Sequence, residues 1–167
     1  MHDELTAMDI RKMRQELDER KLRLMPELIE EVKRTRAFGD LSENFEYKAA
    51  KQALNRNKGR IRYLERMISS AKVIEDRSGA DEVGLYDTVE LYLPEDRDTE
   101  VIQVVTTVRC DPLQGRISKE SPLGKAVLGR HVGDRITVVV SDSYQYTAEV
   151  RSITKGVDDG SAPILQY

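Results

Sequence analysis

Residues 47–71 read YKAAKQALNRNKGRIRYLERMISSA, and one seam runs the length of that stretch. Tyr47, Ala50, Leu54, Asn57, Ile61, Leu64, Ile68 and Ala71 follow in alternating steps of three and four, the spacing that keeps one stripe of a helix turned toward a partner helix. Asn57 is the polar member of the seam, where a single amide sets register at some cost in stability. Gly59 weakens the helix by about 1 kcal/mol relative to alanine, and nothing in the sequence explains it. Upstream, Ile10, Met13, Leu17, Leu24, Leu28 and Val32 form a looser matching stripe. It is interrupted near Pro26, where a helix must kink or restart because proline has no amide proton to give. Two helices of about 30 residues, each about 45 Å long at 1.5 Å per residue, are therefore expected. The chain turns at Gly39, and so short a connection predicts an antiparallel coiled-coil hairpin over residues 1–75, with its tip at about 37–44.

Beyond Ile74 the pattern changes. Residues 76–84 are polar and follow neither period, which reads as a linker. Thr88 to Leu93, Glu100 to Val108, Arg135 to Val140 and Tyr144 to Ile153 are rich in Val, Ile, Thr and Tyr and partly alternate, so they predict strands of a small sheet. A short helix between them is punctuated by Ser121 as N-cap, Pro122 at the first helical position and Gly129 at its end. Residues 85–167 are thus expected to be a β-rich domain with one helix, and the whole chain α+β. The tail from Lys155 to Tyr167 carries Gly, Asp and Pro, the composition of a poorly ordered end, and Ile164, Leu165 and Tyr167 are what it has to dock with.

Composition agrees with an elongated molecule. Of 167 residues only 39% are apolar while 34% are charged, with two Phe and no Trp, which is thin material for one thick core. Cys110 is the only cysteine, so no internal disulfide is possible and a reducing cytosol fits. The first ten residues lack the features of a signal peptide and no stretch approaches the roughly 20 apolar residues of a membrane span, so a cytoplasmic protein with no membrane partner is expected. Net charge is −3, which argues against a protein that simply coats nucleic acid. The distribution is uneven: 17 Lys and Arg against 14 Asp and Glu up to Glu75, then 10 against 16 from Asp76 onward. Within the first part the excess lies past the turn, in Lys48, Lys51, Arg56, Lys58, Arg60, Arg62, Arg66 and Lys72. Such a face is either an RNA-facing stripe or an ordinary solvated helix surface.

The chemistry concentrates at the turn. Asp40 and Glu43 are three apart, which puts both carboxylates near one face of a first helical turn. That spacing serves a shared cation, and it serves equally well as a capping box with Asp40 as N-cap and Glu43 as third helical residue. Mg²⁺ takes six oxygens, so two carboxylates hold it only when another molecule supplies further ligands. His2 and His131 have no partners at zinc spacing, no Ser, His and Asp arrangement can be picked out from sequence order, and Gly124 and Gly129 flank a helix without forming a phosphate loop.

Two motifs carry the reading further. Residues 39–51, GDLSENFEYKAAK, resemble the signature of the Gre factors, bacterial transcript cleavage factors, and fall at the tip where that family carries it. Residues 117–129, ISKESPLGKAVLG, followed by Val132, Gly133 and Asp134, resemble their C-terminal domain. The likeness spans roughly Leu5 to Ile153 and is greatest to the GreA-type members. It implies an FKBP-like C-terminal domain docking on the outside of bacterial RNA polymerase through the block Ser121, Pro122, Leu123, Gly124 and Lys125, while the hairpin enters the secondary channel. It further implies that Asp40 and Glu43 complete the polymerase's own site, sharing its second Mg²⁺ and positioning water to cut the backtracked RNA. No metal is then held stably by the free protein, and the factor is a monomer that is not itself an enzyme. Gly39, Leu41, Ser42, Asn44 and Tyr47 would shape the tip, and Lys48, Lys51 and Arg56 would lie nearest the nascent RNA 3′ end.

The sequence also departs from the family. Phe45 stands where a small Ala is usual, Met25 precedes Pro26 where Arg is common, Arg109 and Cys110 replace an acidic and a small residue, and the tail is extra. A bulky ring two residues past Glu43 makes a Gre-like inhibitor of polymerase the first alternative. Two other classes stay open: a prolyl isomerase in the C-terminal domain, for which the chain has few aromatics, and a coiled-coil adaptor whose Asp40 and Glu43 only cap a helix.

Overall fold

A computed structural model of the chain describes residues 3–39 and 44–166. They fall into two units: Ile10–Ala71, and the residues up to Asp9 together with Lys72–Gln166. The chain is α+β, helical in its N-terminal part and sheet-forming in its C-terminal part.

The first unit is built from α1 (Ala7–Glu19), a π-helical turn (Arg20–Leu24), α2 (Met25–Arg36) and α3 (Phe45–Ser70). Thr6 and Asp9 open α1 with a reciprocal box: Thr6 N–H donates to Asp9 Oδ2 at 2.9 Å and Asp9 N–H to Thr6 Oγ1 at 3.2 Å. The break foreseen at Pro26 is the π turn. Met25 N–H donates to Arg20 O, one residue further back than an α-helix would reach, and Pro26 then sits in the first turn of α2 where a missing amide proton breaks no bond.

Three pairs set the direction of α3. Glu16 meets Arg60, Arg20 meets Asn57 and Thr35 meets Asn44, so numbers fall along α3 as they rise along α1 and α2, and the helices run antiparallel. Asn57 occupies the register position: its Oδ1 accepts from Arg20 Nη1 at 2.9 Å and its Nδ2 donates to Arg20 O at 3.4 Å. Of the seam, Ala50, Asn57, Ile61 and Leu64 are buried. Past Leu64 the buried residue is Met67, while Ile68 of the seam is only half-buried.

In the second unit β1 (Glu4–Leu5) pairs in parallel with β2 (Lys72–Val73). A five-stranded sheet has the order β5-β4-β3-β7-β6, from β3 (Thr88–Leu93), β4 (Asp98–Val105), β5 (Arg116–Ser118), β6 (Arg135–Ser141) and β7 (Tyr144–Thr154). Its pairings are antiparallel except β4 with β5. Alternation puts Val89, Leu91, Ile102, Val104, Ile136, Val138, Ala148 and Val150 into one apolar core. Val127 of α4 (Pro122–Val127) packs into the same core. Residues 106–108, expected to extend β4, instead turn away, and Thr107–Arg109 form a 3₁₀ turn.

The polar stretch 76–84 contains a core residue. Val83 is 1% exposed, accepts from Gly129 N–H at 2.8 Å and donates to Arg130 O at 2.9 Å. The tail docks as well: Ile164 is buried and Leu165 N–H donates to Val108 O at 2.8 Å. Tyr167, named with them, lies outside the described residues, as does His2.

Candidate functional site

The end of the helical unit at which α2 stops and α3 starts is built by backbone first. Ala37 N–H still reaches Lys33 O at 3.3 Å and Phe38 N–H reaches Thr35 O at 3.2 Å, which closes α2 in a tightened last turn. Gly39 follows at φ +110°, a backbone conformation that side chains rarely allow. Asp40, Leu41, Ser42 and Glu43 lie outside the described residues. On the far side Asn44 is the N-cap of α3: its Oδ1 accepts from Tyr47 N–H at 2.9 Å, while its Nδ2 donates to Thr35 O at 2.6 Å. One amide thus caps the second helix and ties it to the last turn of the first.

This corrects the capping-box reading. The helix begins at Phe45, not just after Asp40, and its cap is Asn44. Tyr47 is half-buried beneath that cap. Lys48, Lys51 and Arg56 are all exposed, spread over about 140° of the α3 surface at 100° per residue. Arg60, counted with them in the basic excess, is different. It is 6% exposed and clamped to Glu16, with Nε to Oε1 at 2.8 Å and Nη2 to Oε2 at 3.1 Å. Burial works to raise the Glu16 carboxyl, but hydrogen bonds from Arg60 and Arg20 outweigh it and hold the group below its ordinary range. Arg60 therefore belongs to the helix interface, and Arg56 borders a groove beside it lined by Arg20, Leu24, Leu28 and Ala53.

The block around α4 separates in the same way. Ser121 Oγ accepts from Gly124 N–H at 3.0 Å and donates to Ser118 O at 2.7 Å. Gly124 is buried, and a Cβ there would come within 2.0 Å of Ser118 O, so only glycine lets α4 approach β5. Leu123 is half-buried against the core. Pro122 and Lys125 are exposed, and they are the members of the block presented outward.

Comparison with known proteins gives both halves the same identity. Residues 4–73 match the family described as "Transcription elongation factor, N-terminal", and residues 78–155 match "Transcription elongation factor, GreA/GreB, C-term". The chain belongs to the GreA/GreB family. Among similar curated proteins, the transcription elongation factor GreA of Bacillus subtilis (strain 168) is 42% identical over 134 residues, covering 80% of this chain and 85% of its own. GreA of Staphylococcus carnosus is 36% identical over 149 residues, covering 89% and 93%. Among solved structures, GreA factor homolog 1 of Thermus thermophilus aligns with a TM-score of 0.41 at 30% identity, covering 91% of this chain and 98% of that one.

Sequence reasoning missed one cluster. Arg109, seen only as a departure from the GreA/GreB pattern, is 0% exposed. Its Nη1 donates to Asp9 Oδ1 at 3.0 Å and Asp158 Oδ2 at 2.9 Å, its Nη2 to Asp158 Oδ1 at 2.8 Å and its Nε to Ala162 O at 2.6 Å. The signal was present as two departures, a cation at position 109 and an acidic tail, which explain one another. Among the described residues no group of three or more His, Cys, Asp or Glu side chains is placed to hold a metal ion, and no helix is long and apolar enough to cross a membrane.

Proposed function

We propose that this factor binds bacterial RNA polymerase, reaches its active site through the secondary channel with the α2–α3 end of the helical unit, and stimulates the polymerase's own cleavage of backtracked RNA, rescuing arrested complexes. The observation that carries the reading is Asn44. Because α3 is capped by that amide, the N-cap role that the sequence offered to Asp40 is taken by Asn44, which supports reading the motif's carboxylates as chemical groups. The factor is a cofactor of the polymerase and not itself the enzyme, which fits a molecule offering two ligating residues and no complete site.

In this reading the antiparallel helices over residues 1–75 are a coiled-coil hairpin, thin enough to enter a channel, and residues 85–167 are an FKBP-like domain that docks outside through the α4 surface, with Pro122 and Lys125 foremost. The protein works as a monomer in the cytoplasm, where polymerase is. Asp40 and Glu43 supply hard carboxylate oxygens, which suit Mg²⁺ but fill only part of its coordination sphere, so the ion is shared with the polymerase. Held there, such an ion would supply electrostatic stabilisation for hydrolysis of the phosphodiester. Glu43 and Asp40 orient water at the scissile bond, Gly39 and Asn44 flank them in sequence, and Lys48, Lys51 and Arg56 face the RNA backbone, where their pull weakens with salt.

The test is RNA cleavage in a backtracked complex of the cognate polymerase, comparing no factor, wild type and Asp40→Asn/Glu43→Gln. Wild type should speed cleavage, and the double variant should occupy the polymerase without doing so. A double variant as active as wild type would remove the carboxylates from the chemistry, and a wild type that binds and slows cleavage would make the protein an inhibitor.

A further inference from the structure

The chain has two phenylalanines, and neither is in a core. Phe38 is 56% exposed just past the end of α2, and Phe45 is 78% exposed at the first position of α3. The hydrogen bond from Asn44 Nδ2 to Thr35 O holds these two helix ends together, so both rings stand at one end of the helical unit, on either side of residues 39–44. Each ring carries a cation. The Arg34 guanidinium lies 5.2 Å from the Phe38 centroid and the Lys48 ammonium 5.6 Å from that of Phe45. Arg34 is itself steered by Glu31, at 2.9 Å and 2.6 Å.

Exposed aromatic rings forfeit the free energy that burial would give them, so a molecule that spends both its phenylalanines this way has a use for them in contact with something else. A bare apolar docking patch would gather aliphatic side chains and exclude charge. Here each ring is coupled to a cation within 6 Å, which is the composition of single-strand nucleic-acid binders: a π face that stacks on any base, beside a positive group that takes the phosphate. We propose that Phe38 and Phe45 are stacking platforms for an unpaired nucleobase of RNA, with Arg34 and Lys48 beside its phosphates. The inference rests on the reading that this end of the factor meets the RNA 3′ end, and it names the side chains that hold the base there. Because stacking tolerates every base, the platform accepts extruded RNA of any sequence.

The experiment uses the full-length factor on backtracked complexes of the cognate polymerase whose RNA ends in a photoreactive 5-iodouridine. Wild type, Phe45→Leu, Phe38→Leu and Phe45→Trp are compared, since leucine keeps apolar bulk without a π face and tryptophan keeps the face. Irradiation should link the RNA 3′ base to Phe45 or Phe38. The leucine variant of the linked ring should lose that product, each leucine variant should slow factor-dependent cleavage by roughly tenfold at saturating factor, Phe45→Trp should retain both, and occupancy of the polymerase should stay within about twofold throughout. The inference is overturned if the leucine variants cross-link and cleave as wild type does. It is equally overturned if they lose polymerase occupancy in proportion to activity, because the rings would then touch a protein wall. The two readings separate cleanly: cross-linking without stimulated cleavage sinks the cleavage function and keeps the platform, whereas stimulated cleavage with the cross-link elsewhere does the reverse.

Discussion

Asn44 uses both ends of one amide, accepting from Tyr47 N–H to start α3 and donating to Thr35 O to hold the end of α2. Aspartate keeps the acceptor and loses the donor, while alanine loses both. Asn44→Ala should therefore cost the helical unit about 1–2 kcal/mol, and Asn44→Asp should fall between it and wild type. Urea unfolding followed by far-UV circular dichroism reads this order, and equal stability of Asp and Asn would show that the bond to Thr35 contributes nothing. The spacing of Asp40 and Glu43 was legible in the sequence, yet it pointed to the wrong cap. A capping box is a local pattern, whereas what selects Asn44 is a contact with a carbonyl nine residues upstream that no local pattern contains. The same limit hid Arg60, which reads as one more surface cation until Glu16 is seen across the helix pair.

Among elements, length decided what could be read. The seam of α3 repeats over seven steps, and the four longer strands alternate in part. Strand β5 has three residues and the π turn five, too few for a period to register. The π turn is explained only by combining Pro26, which must have a place in a first turn, with Asn57, which bonds the Arg20 carbonyl. The ion pair beside it gives the helix pair a pH dependence. Glu16 titrates near 4.5 in the unfolded chain and lower in the fold, so its contribution is complete above that ordinary value and is lost as pH falls through the folded value. Glu16→Gln should be less stable than wild type at neutral pH. The difference should shrink as the pH drops below about 4.5, measured as urea midpoints across that range. A gap that stays constant with pH would mean the charge of Glu16 is irrelevant to the clamp.

At the level of the molecule, Arg109 shows why a contact between distant stretches of the chain is not legible in the sequence. Asp9, Arg109 and Asp158 are separated by 100 and 49 residues, and they converge so that a guanidinium with no exposure has a carboxylate from each end of the chain. In sequence the tail is only an extra segment and Arg109 only a departure from the family pattern, because only the fold brings them together. Arg109 is a buried charge whose neutralisation depends on the tail. Removing a partner from such a group costs about 3–5 kcal/mol, whereas removing the charge along with its partner costs much less. Ending the chain after Lys155 and replacing Arg109→Met should each destabilise the sheet-forming unit. The first strands the guanidinium with Asp9 alone; the second leaves both Asp9 and Asp158 without their cation. Combined, the two changes should cost less than their sum by at least about 1 kcal/mol, because the double variant has neither the guanidinium nor Asp158 left to strand and only Asp9 stays without its cation. What remains additive is the apolar burial of Ile164, which the truncation removes in either background. Additivity within about 0.5 kcal/mol would mean that tail and arginine stabilise the unit independently, and that the tail docks through Ile164 and the Leu165 backbone alone.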